Sequence, residues 1–426
     1  MRTFRFLRAA SQGVTASIIG AALTSIVLGC FVAGRIDVKT ADTPRYRRLA
    51  MNLVRHGVFS SCEAPPYQPE IQRVPGYPVF LALLGRVGVR SDRAIATSQV
   101  GLHALVVLVI GSLLPSHRVV TAWVFALYPY SLVLCVRLMS EGLTEFVLVA
   151  GLCCLAQAVA RERSRLVWYA AAGLWLAALT LTRPIYLFMP AVLALGAAFL
   201  GRGEAHRRWT RLELIVFVAF GTLPGAAWAV RTSEIARRPL PLALNWAGSN
   251  LWLATWEYRI AYEDLEGALF SRDDPRNEGV TMDLNECDSD LNLAESDHAR
   301  DVAVRRIREA PGRYVMECLW RSVRVWLTWE ITAAGGRAMR WASPILRYTS
   351  ITILALAVAG SWFARRQVNV ALTLTIPCIY ISILHMPIHV SGRYSHPARG
   401  LLIALAVLAV TTIFRSLRPL IWGRKS

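Results

Sequence analysis

The chain has 426 residues, of which 55% are hydrophobic, with a mean hydropathy of +0.41 and a formal charge of +19. Several apolar runs reach the roughly 20 residues that cross a bilayer, which excludes an ordinary soluble domain and makes this a polytopic membrane protein. The charge does not point to nucleic acid, because the arginines sit in short clusters between apolar runs and form no continuous basic face.

In chain order, spans are predicted at about 14–33, 95–114, 119–138, 142–160, 167–182, 184–200, 212–231, 344–363, 369–386 and 398–415. Ten spans place both termini on one side. Arg2, Arg5 and Arg8, the clusters Arg161 to Arg165, Arg207 to Arg211 and Arg365-Arg366, and the tail from Arg415 to Lys425 all share the cytoplasmic face if the N-terminus is inside. A multi-pass protein of the inner (plasma) membrane is expected, with the first apolar stretch retained as a helix because no small-residue cleavage site follows it. Thr182, Arg183 and Pro184 leave almost no loop between two spans, so one long broken helix is the alternative there, against which the basic clusters argue. The chain divides into an N-terminal transmembrane module, 1–231, with a first extracytoplasmic loop, 34–94; an extracytoplasmic segment, 232–343; and C-terminal helices with a basic tail, 344–426.

The first loop carries Asp42-Thr-Pro-Arg-Tyr46 and Arg73-Val-Pro-Gly-Tyr-Pro78. A carboxylate and an arginine just outside a membrane helix are what chemistry on a lipid phosphate needs: one group takes a proton, the other holds an anion. Asp42 reads as a general base or as a helix N-cap, since Thr-Pro suits the first helical positions. Asp37 competes with it but lacks the trailing tyrosine. Arg73 reads as a bidentate phosphate ligand or as a snorkelling interfacial arginine. Pro75, Gly76 and Pro78 predict a rigid turn that opens a second short helix.

Glu141 follows Ser140 at the head of the fourth span, where an acidic residue is either functional or simply favoured by the helix dipole. Arg183, Arg231 and Arg393 each sit at the extracytoplasmic end of a span, within reach of a lipid phosphate. His385, His389 and His396 suggest a metal cluster at first sight, but Pro387 breaks the helix that would align them, so contact with sugar or phosphate is expected instead. There is no glycine-rich nucleotide loop.

Of the 28 acidic residues, 14 lie between Glu257 and Asp301 with four arginines, which predicts a solvated loop. From Leu293 to Trp329 helical periodicity returns, with Ala303, Ile307, Tyr314, Cys318 and Val325 near one face and arginines elsewhere. This predicts an amphipathic helix, broken near Pro311 and lying on the membrane surface, with Trp320, Trp326 and Trp329 in the interfacial belt. Cys62 and Cys287 both fall on the oxidising side and are candidates for a disulfide.

These pieces, taken in order, resemble the polyprenyl-phosphate-dependent glycosyltransferases of the GT-C class, near the protein mannosyltransferase and lipid A aminoarabinose transferase families. The likeness rests on the first-loop motifs, Leu49-Ala-x-Asn-Leu53, Gly57-x-Phe-Ser60, Ser140-Glu141, Leu179-Thr-Leu-Thr-Arg-Pro184, Trp228-x-x-Arg231, Gly248-Ser-Asn-Leu251 and Arg393-Tyr-x-x-Pro397. Members commonly carry Arg-Asn where this chain has Arg231-Thr232, and a glutamate where it has Gly392. The resemblance implies an all-α bundle of about ten membrane helices with juxtamembrane helices and a long outer loop. It also implies transfer, with inversion, of a sugar from a polyprenyl-phosphate donor to an extracytoplasmic protein, lipid or polysaccharide. Asp42 and Glu141 would be catalytic, while Arg73, Tyr46, Tyr77, Arg393, Tyr394 and His385 would bind substrate. No cofactor is expected, and a divalent metal is compatible with the resemblance but not indicated. A flippase or carrier for the same lipid, and an O-antigen ligase-like transferase, are the alternatives.

Overall fold

The computed structural model describes residues 2–161, 163–200, 209–240, 242, 245–256, 278–280, 287, 289–327, 336–365 and 367–422. Among them the fold is helical throughout, with no strand. Most of the acidic stretch and Trp329 lie outside the described residues.

Helix α1 (Arg2–Arg35) leads into the first loop, which carries two short helices, α2 (Thr43–His56) and α3 (Gly76–Arg86). Next come α4 (Asp92–Ile110), α5 (Arg118–Ala126), α6 (Pro129–Cys135), α7 (Glu141–Ala160), α8 (Arg165–Thr182), α9 (Met189–Leu200) and α10 (Arg211–Ala236). The later part holds α11 (Asn245–Trp256), α12 (Ser289–Glu309), α13 (Pro311–Arg324), α14 (Gly336–Ala364), α15 (Ile376–Leu384) and α16 (Arg399–Trp422). Among the described residues, 7 helices are long and apolar enough to cross a membrane, or 8 if the bent pair of α5 and α6 is one span. The two other expected spans, 184–200 and 369–386, fall on shorter apolar helices.

The bundle follows from two kinds of apolar surface. Inward-facing positions of α4, α7, α8 and α16 form one buried cluster that includes Val106, Leu148, Leu176 and Leu405. Large apolar side chains on α1, α10 and α14, such as Val27, Leu223 and Val358, remain exposed, as helices solvated by lipid require. Helices α1, α4, α7, α8 and α10 pack in series, and α14 lies against α16.

Three departures from a plain bundle place the polar residues. The chain bends by 64° between α5 and α6, where Pro129 cannot continue the preceding helix. The short α6 then lets residues 136–140 return to the first loop, where the Leu138 amide donates to the Val38 carbonyl (2.8 Å). Gly76 packs so closely on the end of α8 that a Cβ there would lie 2.6 Å from Thr182 Oγ1 and 2.7 Å from the Leu181 carbonyl oxygen. Finally, Cys62 and Cys287 form a disulfide (Cα–Cα 5.1 Å) that ties the first loop to the segment before α12.

The amphipathic segment breaks at Pro311 as its sequence predicts, but its faces differ from the expected ones. On α13 the exposed large apolar side chains are Val315, Met316, Leu319, Trp320 and Val323, and Arg313 is exposed as well, while Arg321 and Arg324 are buried. Arg321 donates to the carbonyls of Met386 (2.7 Å) and Ala254 (3.1 Å), so it satisfies backbone acceptors inside while the apolar face turns out. Trp326 is buried and donates its indole N–H to Ser382 Oγ (2.8 Å), so it belongs to the core and not to an interfacial belt.

Candidate active site

Asp42 occupies the N-cap position of α2, but its side chain makes no capping hydrogen bond. Thr43, the first residue of α2, secures the turn before the helix: its hydroxyl accepts from the Thr40 amide (2.8 Å) and donates to the Leu138 carbonyl (3.0 Å). The Asp42 carboxylate is thereby available to reach across the loop. Arg73 Nη2 donates to its Oδ1 (2.5 Å), and Arg393 Nη1 lies 3.7 Å from its Oδ2.

Arg393 and Arg183 also face Glu141, the first residue of α7. Arg183 Nη1 lies 3.5 Å and Arg393 Nε 3.9 Å from Glu141 Oε1, and the Ser140 hydroxyl donates to Oε2 (3.5 Å). Ser140, like Asp42, stands at an N-cap without capping through its side chain. The five residues form an alternating line, Arg73, Asp42, Arg393, Glu141 and Arg183, with one positive charge in excess. It is drawn from the first loop, the head of α7, the end of α8 and the 3-10 turn Gly392–Ala398 before α16.

Aromatic rings back the arginines. The Arg73 guanidinium lies 5.5 Å from the ring centre of Tyr46, and Arg183 (5.1 Å) and Arg393 (5.5 Å) both approach Tyr394. Tyr46 meets Tyr77 edge-on (4.9 Å), and the Tyr77 hydroxyl donates to Gln99 Oε1 (2.7 Å). Gln99 Nε2 in turn donates to the carbonyls of Cys135 (2.9 Å) and Arg137 (2.7 Å) after α6. His385 is buried, stacks on Tyr394 and donates from Nδ1 to the Ile381 carbonyl (2.8 Å). Tyr77 and His385 therefore stand behind the line of charges and support Tyr46 and Tyr394.

Burial works to raise the Asp42 carboxyl pKa, but Arg73, Arg393, Arg183 and Arg45 together outweigh it and hold the group below its ordinary value. For Arg73 burial acts against the charged form, and the negative charge of Asp42 reverses that, raising its pKa further. Both are charged at neutral pH.

Other residues lie elsewhere. Asp37 Oδ1 accepts from the Lys39 amide (2.9 Å) and closes a local turn. Arg231 donates to the Glu70 carbonyl (3.0 Å) and covers Trp228 (4.5 Å), so it fastens the first loop and stands apart from the five-residue line. Arg45 and Glu70 form a buried two-point ion pair, Nε to Oε2 (3.0 Å) and Nη2 to Oε1 (3.1 Å), that locks the same loop. His389 donates its backbone N–H to the Asn250 carbonyl (3.0 Å). Among the described residues, no group of three or more His, Cys, Asp or Glu side chains could hold a metal ion.

A second polar group, not anticipated from the sequence, lies one helical turn along α7. Glu145 is fully buried, with His103 Nδ1 2.8 Å from Oε2 and His396 Nε2 3.7 Å from Oε1. The signal was present: Glu145 and His103 are ionisable residues well inside otherwise apolar predicted spans, where such residues are costly and tend to be functional. Arg399, also buried, lies between the rings of Tyr130 (5.1 Å) and Trp326 (5.7 Å).

No protein-family model matches the chain, and no curated protein matches it. Among solved structures it is similar to the archaeal oligosaccharyltransferase AglB from Archaeoglobus fulgidus in complex with an inhibitory peptide and a dolichol-phosphate. The identity is 14% and the TM-score 0.55, over 98% of this chain and 53% of that one. The apo form of the Archaeoglobus fulgidus oligosaccharyltransferase matches at 11% identity and a TM-score of 0.50, over 95% of this chain and 52% of that one. ArnT from Cupriavidus metallidurans bound to undecaprenyl phosphate overlaps 97% of the chain and 81% of its own at 11% identity and a TM-score of 0.42. The chain thus spans about half the length of the oligosaccharyltransferases it matches. At these identities the likeness is one of fold, and the fold is GT-C-like.

Proposed function

We propose that this chain is a membrane glycosyltransferase that moves a sugar from a polyprenyl-phosphate donor to an extracytoplasmic acceptor with inversion. The observation that carries the reading is the line Arg73, Asp42, Arg393, Glu141 and Arg183, which brings a carboxylate and partly exposed guanidinium groups together at helix ends. The fold supports it, since AglB was captured with a dolichol-phosphate.

In this reading an acceptor O–H or N–H attacks the anomeric carbon from the face opposite the phosphate. Its proton passes to the Asp42 carboxylate, the bond from the anomeric carbon to the phosphate oxygen breaks, and the electron pair leaves with the phosphate. Arg73 and Arg393 bind the departing phosphate as its charge grows, and guanidinium suits that task because it stays protonated and donates from two nitrogens at once. Glu141 orients Arg393 and lines the acceptor side. Both termini are cytoplasmic, and the site faces the other side of the plasma membrane.

The test is transfer of radiolabel from polyprenyl-phosphate sugars to a membrane extract by the purified protein in liposomes. Label should move with the wild type and not with Asp42→Asn. Unimpaired transfer by Asp42→Asn would remove the base assignment, and donor binding without transfer under any pairing would favour a carrier.

A further inference from the structure

The residue offered as the base and the groups offered as the phosphate ligands are bound to each other. Arg73 donates to Asp42 at 2.5 Å, and Arg393 stands 3.7 Å from the other oxygen of the same carboxylate. A carboxylate held this way is a weak proton acceptor, because the charges that stabilise it must be given up as it takes a proton. We infer that the donor phosphate competes with Asp42 for Arg73 and Arg393, so that donor binding releases the carboxylate and the donor must bind before the acceptor can be activated. The inference rests on the glycosyltransferase reading for the identity of the ligand.

Three features make the exchange physically reasonable. The first is access: the side chains of Asp42, Arg73 and Arg393 are 18%, 21% and 34% exposed, whereas Glu141 is 4% exposed. The second is anchoring. Arg73 and Arg393 are held against Tyr46 and Tyr394, rings that pack in turn on Tyr77, fixed by its hydrogen bond to Gln99, and on His385. Either guanidinium can therefore change its anionic partner without moving far.

The third is charge. The five-residue line carries one positive charge in excess, and a sugar phosphodiester carries one negative charge, so its arrival makes the group neutral. Glu141 keeps Arg183 as its counter-ion at 3.5 Å throughout. The two carboxylates therefore differ in kind: Asp42 is exchangeable and Glu141 is fixed.

The decisive experiment measures binding of undecaprenyl phosphate to the full chain in phosphatidylcholine nanodiscs, for wild type, Asp42→Asn, Arg73→Gln and the double variant. Removing a competitor should tighten binding by Asp42→Asn about tenfold, the size of one charge-assisted contact. Arg73→Gln should weaken binding by a similar factor, and in the double variant the gain from Asp42→Asn should shrink, because one of the two contested contacts is already gone. Asp42→Ser serves as a second variant if Asp42→Asn does not fold.

Equal or weaker binding by both Asp42 variants, with the wild type still sensitive to Arg73→Gln, would overturn the competition and leave the glycosyltransferase reading intact. Absence of binding by every form would remove that reading and this inference with it. An equal gain with phosphatidylglycerol in place of undecaprenyl phosphate would assign the site to a phospholipid headgroup and overturn the donor assignment.

Discussion

Asp42 and Glu141 are both acidic residues at a helix start, and their surroundings give them different properties. Arg73, Arg393, Arg183 and Arg45 hold the Asp42 carboxyl low against the effect of burial, with Tyr46 as a further ionisable neighbour. A base acts when deprotonated, so activity falls as pH drops through its pKa. The acid limb of kcat/KM for the donor, which reports the free enzyme, should therefore lie at lower pH than the limb of kcat, which reports the donor complex. Coincident limbs in a pH–rate series would contradict this. Tyr77→Phe should lower stability by about 1 kcal/mol, the usual worth of a buried hydrogen bond, and shift Tm down in detergent. Residue type and position at helix ends, together with the family resemblance, singled out Asp42, Arg73, Glu141, Arg183 and Arg393 as candidates. The sequence did not separate Tyr46 from Tyr77, or Tyr394 from His385, because which ring faces the arginines and which stands behind depends on packing between distant segments.

The helices fix the site through close approaches at their ends. Gly76 seats α3 on the last turn of α8, which brings Arg73 toward Arg183. Gly76→Val should force these elements apart at about 1–3 kcal/mol, the usual cost of overpacking, and should reduce transfer more than that loss of stability explains. Assays at a temperature where the variant remains folded would separate the two effects. On α7, Glu141 and Glu145 bind the same 3-10 turn at successive helical turns, through Arg393 and His396. Glu145→Ala would leave His103 and His396 facing a buried gap, and should cost about 3 kcal/mol, as removal of one partner of a buried pair does. Glu145→Gln, which keeps the shape, should recover part of that in a thermal unfolding series. The span positions were legible from hydropathy, and the break at Pro311 from proline chemistry. The orientation of α13 was not, because periodicity shows that two faces differ without showing which one meets lipid and which meets unsatisfied carbonyls.

Across the whole molecule the first loop is fastened at several points: by the Arg45–Glu70 pair, by Arg231 and by the Cys62–Cys287 disulfide. Chain order suggested the disulfide only as a pairing to be considered, since sequence carries no distance between residues separated by 225 positions. The bridge predicts that the protein migrates faster in a non-reducing gel than in a reducing one, and that Cys62→Ser abolishes the difference. The order in which the charged line is synthesised has its own consequence for membrane insertion. Asp42, Arg73, Glu141 and Arg183 are made first and balance one another, and the excess charge arrives with Arg393, just ahead of the last helix. A nascent chain that has inserted its earlier helices is thus electrically balanced at this position. On the glycosyltransferase reading, it would gain its net attraction for an anionic lipid only when the final turn docks, so the reading direction of the gene would disfavour premature occupation of a half-built site.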